Sequence, residues 1–268
     1  MPDYGMEEFP ESGGHAHNAT RGPHWLEVVG KAHVLTDRVA ATAAFAILSA
    51  MSVVVLAGVI SRYVFNDALS WSEEFALWSF TWLIFTGAAV GIGRGGHVAM
   101  RVLTDMLPER WQSPVAFLRD VAIFLTMTVF VLKGMVLIER VGGTSPTLGL
   151  PNPLRYSIIP ISGVLGAFLL LTENTEAPGV LRRRAASLVG AVALYFALEA
   201  AAPLPVISGW SQSSVMLAGF FLLMFIGTPI SFCLVGSVVL TTWTGGMLPA
   251  QAVLQNAVAG AGKFILLA

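Results

Sequence analysis

Long apolar runs with few charged residues inside them are the feature that most constrains this chain. A helix needs about 20 mostly apolar residues to cross a bilayer. Six runs approach that length, and they cover residues 39–60, 75–93, 121–138, 156–171, 187–206 and 215–240. The pattern predicts an all-α membrane protein: a four-helix transmembrane bundle, then a connecting helix and one further spanning helix.

Composition supports this class and excludes others. Apolar residues make up 55% of the chain and charged residues 12%, against about 25% charged in ordinary soluble proteins. A net charge of −1 provides no global field for nucleic acid, so no nucleic-acid partner is expected. The single cysteine, Cys233, lies in an apolar run and is interpreted as a small buried hydrophobe. No nucleophile motif or metal-spaced set of ligands indicates an enzyme.

The ends of the runs predict an orientation. Residues 1–22 are polar, acidic and rich in Pro and Gly, without the pattern of a cleavable signal peptide, and we expect a disordered tail in the cytoplasm. Lys and Arg are favoured in cytoplasmic segments. With this orientation the inside segments up to the fifth run contain Arg21, Lys31, Arg38, Arg94, Arg101, Arg110, Arg119, Arg182, Arg183 and Arg184. The outside loops contain only Arg62, Arg140 and Arg155.

A short amphipathic stretch separates the second and third runs. Residues 98–107 place apolar pairs one turn apart, and Pro108 follows directly. Apolar residues at this spacing favour a helix, and proline bars its direct continuation. We predict an interfacial helix there and, less clearly, another over residues 24–37.

The stretch 91–97, GIGRGGH, satisfies the dinucleotide fingerprint G-x-G-x-x-G. That fingerprint requires a strand before it, a helix after it and an acidic residue about 20 positions on. Here an apolar run of spanning length precedes it, and only Glu109 and Asp120 follow, beside basic residues. We therefore reject a nucleotide site.

Helix packing and helix termination explain the same glycines. Gly87 and Gly91 form a G-x-x-x-G pair, which lets helices approach closely in lipid. Three further glycines are expected to end the helix, and they are Gly93, Gly95 and Gly96. Arg94 is placed where the helix dipole favours a cation. His97 is interpreted as a hydrogen-bonding loop residue, with a pH-sensing or partner-binding role as the alternative.

Three segments between residues 61 and 108 resemble a known family. "SRYVFNDALSWSEEFALW", "GAAVGIGRGGHVAM" and "LTDMLP" are similar to the small membrane subunit of TRAP (tripartite ATP-independent periplasmic) transporters, the DctQ family. The resemblance covers roughly residues 24–175 and implies four spans with both ends inside. We assign residues 23–175 to this unit.

The remainder resembles a second family. "LLMFIGTPISFCLVGSVVL" and "AVAGAGKFILLA" are similar to the start of the large TRAP subunit, the DctM family. Residues 176–212 are then a linker and connecting transmembrane helix, and residues 213–268 the start of the large subunit. We expect a fragment of a fused small-plus-large permease.

The resemblance implies a membrane component of a secondary transporter in the cell inner membrane. Its implied substrates are small organic anions, C4-dicarboxylates or sugar acids, taken up with an ion gradient. The implied partners are a large transport subunit, fused or separate, a periplasmic substrate-binding protein and membrane lipids. No cofactor is implied for this chain, because the sodium and substrate sites are expected beyond residue 268. The alternative is a stand-alone membrane anchor or assembly subunit with no transport role.

Several residues are candidates for structural or interface roles. Trp71 is expected near the outer boundary. Glu73 and Glu74 begin the second span, where a carboxylate favours the helix N-terminus. We interpret them as a cap, a salt bridge to Arg62 or a contact to the large subunit, with an ion path as the alternative.

Lys133, Glu199 and the cluster 182–184 are the remaining charged features that call for an interpretation. For Lys133 and Glu199, snorkelling to the interface is cheaper than burial, so we favour it over an ion-path role. The cluster 182–184 is interpreted as a topogenic and lipid-headgroup site.

The last run contains an irregularity. Gly227 and Pro229 interrupt residues 215–240, which would be about 39 Å long as one straight helix against a membrane core of about 30 Å. Tilt or a break is therefore expected. We favour a packing kink over a site-lining role.

Overall fold

A computed structural model describes residues 24–94, 108–173, 178–201, 211–243 and 250–265. Within these ranges every regular element is a helix, as predicted. The helices are α1 (His24–Val64), α2 (Ser70–Gly93), α3 (Glu109–Arg140), α4 (Asn152–Tyr156), α5 (Ile158–Thr172), α6 (Pro178–Ala201), α7 (Gln212–Phe225), α8 (Ile230–Trp243) and α9 (Ala250–Ile265). The predicted tail 1–22, His97 and the predicted interfacial helix 98–107 lie outside the described residues.

Within the described ranges, five segments are long and apolar enough to cross a membrane: α1, α2, α3, the short α4 together with α5, and α6. The four predicted spans of the bundle and the connecting span are thereby confirmed. The prediction of a separate helix over residues 24–37 is wrong, because that stretch is the first part of the 41-residue helix α1. At 1.5 Å per residue α1 is about 60 Å long, roughly twice the membrane core.

Three helices form the centre of the bundle. The faces of α2, α3 and α5 meet around buried aromatic and aliphatic side chains, including Phe85, Phe124 and Ile159. Small residues permit the approach. A Cβ at Gly163 of α5 would lie 2.9 Å from Val131 Cγ2, so a side chain there would push α3 and α5 apart.

The predicted close approach at Gly87 is not made by any helix that the structure describes. Gly87 is exposed, and a Cβ built on it would have nothing within 4 Å among the described residues. The tight contact of α2 is one turn and a half further on, where a Cβ at Gly93 would lie 3.0 Å from Leu169 Cβ. The helix ends at Gly93 as predicted, with Arg94 as its C-cap at φ −98°, and the other two predicted terminating glycines, Gly95 and Gly96, lie outside the described residues.

The last apolar run forms two short helices instead of one span. Helices α7 and α8 have 14 residues each, about 21 Å, and pack along each other. Gly227 has φ +82°, and the Gly227 and Thr228 N–H groups donate to Met224 O and Leu223 O. This is a Schellman C-terminus, after which Pro229 begins α8. The predicted break is confirmed, and the single span is wrong because the left-handed glycine reverses the chain.

Candidate functional site

Charged side chains collect at the two ends of the bundle. We call the end where α2 finishes and α3 begins the inner end, and the opposite one the outer end, following the orientation predicted from the loops. Most of the ion pairs described below join side chains on different helices. These pairs are the candidate functional site, and they are described from the outer end to the inner end.

The predicted salt bridge between Arg62 and Glu73 is confirmed. Arg62 Nη2 at the end of α1 lies 2.7 Å from Glu73 Oε1 in the first turn of α2. Both side chains are more than half exposed, and exposed pairs contribute little, about 0–1 kcal/mol. Trp71 nearby is partly exposed and makes an edge-to-face contact with Phe75 at 6.3 Å between ring centroids.

Glu74 holds the outer loop between α3 and α4. Its Oε2 accepts from the Thr147 N–H at 2.9 Å, from the Leu148 N–H at 3.1 Å and from the Thr147 hydroxyl. The loop is also closed on itself, since the Ser145 N–H donates to Leu150 O at 2.8 Å. Two of its glycines, Gly143 and Gly149, have positive φ. Glu74 therefore orders a compact outer loop, and the sequence analysis missed its partners because they are 73 and 74 residues away.

Lys133 and Glu199 pair with each other, a contact that the sequence analysis did not predict. Lys133 Nζ of α3 lies 2.5 Å from Glu199 Oε1 of α6, and the lysine side chain is only 15% exposed. The Trp243 indole N–H of α8 donates to Glu199 Oε2 at 3.2 Å. Pairing satisfies both charges without stretching either side chain to the interface. Tyr195 of α6 contacts both Lys133 and Trp243. We call Lys133, Tyr195, Glu199 and Trp243 the outer cluster.

At the inner end, α1 and α2 are joined by Asp37 and Arg94. The Arg94 guanidinium donates to both carboxylate oxygens, with Nε 3.0 Å from Oδ1 and Nη2 2.9 Å from Oδ2. Hydrogen bonding to Asp37 and its negative charge raise the pKa of Arg94 above its ordinary value. The two-oxygen geometry fixes orientation as well as distance. Only the structure identifies Asp37, because it is 57 residues from its partner.

Asp120 is the most buried charged residue among those described. Its side chain is 0% exposed, and it lies 3.2 Å from Arg119 Nη2 and 3.4 Å from Arg183 Nη2. The second contact joins α3 to α6. A buried carboxylate is costly unless it is paired, so these two arginines compensate the buried negative charge of Asp120.

The lipid-headgroup interpretation of the cluster 182–184 is wrong for two of its three members. Arg183 contacts Asp120, and the buried Arg184 donates to Leu170 O at 2.7 Å and to Glu173 Oε2 at 2.7 Å. Arg184 thereby satisfies a carbonyl at the C-terminal end of α5, which has no partner within its own helix. Arg182 is exposed and remains a candidate for headgroup contact.

His33 adds a neutral contact at the inner end. Its Nδ1 lies 2.9 Å from Thr172 Oγ1. The threonine hydroxyl donates to Phe168 O, so its oxygen accepts from the imidazole. This bond ties α1 to the end of α5.

The chemistry available in the described residues is structural. They contain no group of three or more His, Cys, Asp or Glu that could hold a metal ion. A groove between α1, α3 and α5 is lined by apolar side chains and one hydroxyl, Thr36, and provides no charge to hold an organic anion. The arrangement is thus that of a multi-pass helical bundle whose helices are fixed to one another by polar contacts at both ends.

Comparison with known proteins agrees with this class. The family model for the DctQ component of tripartite ATP-independent periplasmic transporters matches residues 51–176. A TRAP transporter small permease protein of Haemophilus influenzae is 30% identical over 128 residues, which are 47% of this chain and 80% of that protein. The chain therefore belongs to the DctQ family of TRAP transporter permease components, which are multi-pass inner-membrane proteins.

Two further relatives extend the comparison. The C4-dicarboxylate TRAP transporter small permease protein DctQ of Vibrio cholerae is 28% identical over 49% of this chain and 58% of its own length. The isethionate TRAP transporter permease protein DctMQ of Oleidesulfovibrio alaskensis is 29% identical over 75% of this chain, but the match spans only 32% of that protein. The second match supports the predicted fusion of a small-subunit unit to the start of a large one.

Proposed function

We propose that helices α1–α5 are a fixed membrane scaffold for the transport subunit of a TRAP transporter. The observation that carries this proposal is the set of ion pairs at both ends of the bundle, such as Arg62–Glu73 and Asp37–Arg94, combined with a groove that has no charged lining. Helices held at both ends resist relative movement. A carrier that moves a substrate site across the bilayer requires such a stationary part.

The proposed partners are a large transport subunit, fused or separate, and a periplasmic substrate-binding protein. The alignment with a DctMQ protein over 75% of this chain supports the first. The surface of α2 around Gly87, on the side away from the bundle, is open among the described residues. Small residues favour close helix approach in lipid. The G-x-x-x-G pair Gly87 and Gly91 therefore stays a prediction, now for contact with a helix outside the described residues.

The proposed substrates are small organic anions. The relatives are named for C4-dicarboxylate, isethionate and sialic acid, which are all anionic at neutral pH. Uptake of an anion against the membrane potential needs a coupling cation, and sodium stays the expectation for the full transporter. The cytoplasmic N-terminus is part of the same proposal, and reporter fusions at either end of α1 would test it.

The scaffold proposal is tested with Gly87→Leu in the complete transporter. A Cβ at Gly87 has nothing within 4 Å of it among the described residues, so a leucine there should leave the thermal stability of the bundle unchanged. If another helix packs there, the leucine should prevent its close approach. Assembly with the large-subunit sequence and uptake of a labelled organic anion should then both fall by tenfold or more, which corresponds to a loss of binding free energy on the order of 1.4 kcal/mol. Gly30→Leu is the matched control, because Gly30 also has open space around it.

Glu74→Ala provides a second, independent test at the outer end. It removes the acceptor for Thr147 and Leu148 without changing the bundle core. Normal assembly and normal uptake in both Gly87→Leu and Glu74→Ala would contradict the scaffold proposal.

A further inference from the structure

We infer that Glu199 is a positioning residue that fixes the α7–α8 hairpin to the small-subunit bundle. The inference concerns contacts within this chain, so it holds or fails independently of the proposed transport function. It rests on the outer cluster, where one carboxylate contacts side chains from two other helices.

The two oxygens of Glu199 have different partners. Oε1 accepts from Lys133 Nζ of α3 at 2.5 Å, and Oε2 accepts from the Trp243 indole N–H of α8 at 3.2 Å. Because the oxygens are distinct, both contacts are made at once. Glu199 itself lies on α6, so a single side chain joins the bundle, the connecting helix and the hairpin.

Aromatic packing supports the same junction. The Trp243 and Tyr195 rings meet edge to face with centroids 6.0 Å apart, and both side chains are buried. Lys133 Nζ lies 5.8 Å from the centroid of the Tyr195 ring, within range of a cation–π contact. Lys133 lies seven residues before the end of α3, about 10 Å along the helix axis, and its side chain is 15% exposed against 45% for Glu199. The contact is therefore shielded on the lysine side, where a low dielectric strengthens it.

The hairpin also packs on the bundle, since Phe232 and Val239 of α8 belong to its buried clusters. Its helices are about 21 Å long, too short to be fixed by crossing the membrane. Helix α7 exposes large apolar side chains, namely Met216, Leu217, Phe221, Leu222 and Phe225. Helix α8 is therefore the helix of the hairpin that packs on α3, and Trp243 is the last residue of α8. The Trp243–Glu199 bond is placed where it sets the angle of α8 against the bundle.

The chain contains its own probe for this contact. Cys233 is its single cysteine, lies on α8 and is 0% exposed. Because the thiol is fully buried, a maleimide dye can label it only when the packing around α8 opens, and the labelling rate in the purified full chain reports that opening. Circular dichroism melting of the same samples reports the stability of the whole helical fold.

Trp243→Phe is the central variant. It keeps an aromatic ring against Tyr195 and removes the donor to Glu199 together with part of the indole ring, whereas the exchange variant described next keeps the full indole. We expect Cys233 labelling to rise about tenfold, the population change for loss of one hydrogen bond to a charged group, with an unchanged melting temperature. Labelling at the native rate would overturn the inference.

The exchange Lys133→Glu with Glu199→Lys separates the two contacts of Glu199. It restores an ion pair between α3 and α6, but a lysine at 199 cannot accept from the indole N–H. We expect normal melting and labelling as fast as in Trp243→Phe. If the exchange protects Cys233 as well as the native pair does, the ion pair alone holds the hairpin and the inference is wrong.

Two more variants guard against misfolding and nonspecific effects. Glu199→Gln keeps one acceptor oxygen and the side-chain shape, so it should label more slowly than the exchange variant. Arg62→Ala with Glu73→Ala removes an outer ion pair that does not contact the hairpin and should leave the labelling rate of Cys233 unchanged. Faster labelling in that control would show a general loosening and overturn the specific role of Glu199.

Discussion

Helices α1 and α3 have similar apolar character but opposite surroundings. In the most apolar 18-residue window of α3 half of the residues are buried, whereas in that of α1 none is. Helix α3 packs on α5, α6 and α8. Helix α1 packs mainly on α2 and exposes large side chains such as Phe45, Val53 and Leu56.

The difference shows that hydropathy and packing are separate properties in a membrane protein. Lipid tails are as apolar as a leucine side chain, so burial against protein adds little hydrophobic free energy there. What distinguishes α3 is close packing around Gly134 and its buried partners. Helix α1 depends instead on polar contacts at its ends and on lipid or another protein along its length.

A matched pair of phenylalanines should give the largest contrast. Phe124→Ala in α3 removes a fully buried side chain and leaves a cavity, which should lower the free energy of unfolding by about 3 kcal/mol. Phe45→Ala in α1 removes a side chain that is 70% exposed and should change it by less than about 0.5 kcal/mol. Equal losses in a detergent-unfolding titration would show that α1 has intrachain contacts equivalent to those of α3.

A matched pair of aspartates should give the next largest effect. Asp120→Ala leaves Arg119 and Arg183 without their shared buried carboxylate, and we expect a loss of about 2 kcal/mol. Asp37→Ala in α1 breaks a more exposed pair with Arg94 and should cost about 1 kcal/mol or less. The same unfolding titration measures both, and a larger loss for Asp37→Ala would reverse the comparison.

The closest contact along α1 provides a third test. A Cβ at Gly58 would lie 2.8 Å from Ser72 Oγ of α2, so Gly58→Ala should cost about 1 kcal/mol by overpacking. Combining it with Ser72→Ala should restore most of the lost stability, because that change removes the hydroxyl without placing a glycine in α2. A single mutant as stable as the native chain would mean that α1 shifts freely along α2.

The smallest expected effect belongs to the outer pair of α1. Arg62→Ala should lower the free energy of unfolding by less than about 0.5 kcal/mol, because both partners are exposed and screened by salt. The check is to repeat the titration at low and high ionic strength, where the small difference should vanish at high salt. A loss above 1 kcal/mol that persists in salt would show that this pair is essential for holding α1.

The helices themselves could be predicted from the sequence. Long uncharged runs give spanning helices whatever their neighbours are, since every backbone N–H and C=O must be satisfied inside lipid. The end of α2 at Gly93, the break at Gly227 and the Arg62–Glu73 pair also follow from local chemistry. Arg62 and Glu73 are only 11 residues apart, across one short turn.

The partners of the other charged residues could not be predicted in this way. Lys133 and Glu199 are 66 residues apart, and Arg183 and Asp120 are 63. Either member considered alone is best satisfied by water or headgroups, so the sequence analysis favoured snorkelling and headgroup contact and did not predict these pairs. Only the packing of α6 on α3 brings the pairs within bonding distance.

What the sequence determined by itself was which segments are long and apolar enough to cross a membrane, because the bilayer sets that length for every helix separately. What only the tertiary structure decided was which helix faces pack against other helices, as at Gly163, and which remain exposed, as at Gly87. Contacts among helices in lipid depend on shape and on paired polar groups far apart in the chain. No local pattern encodes them.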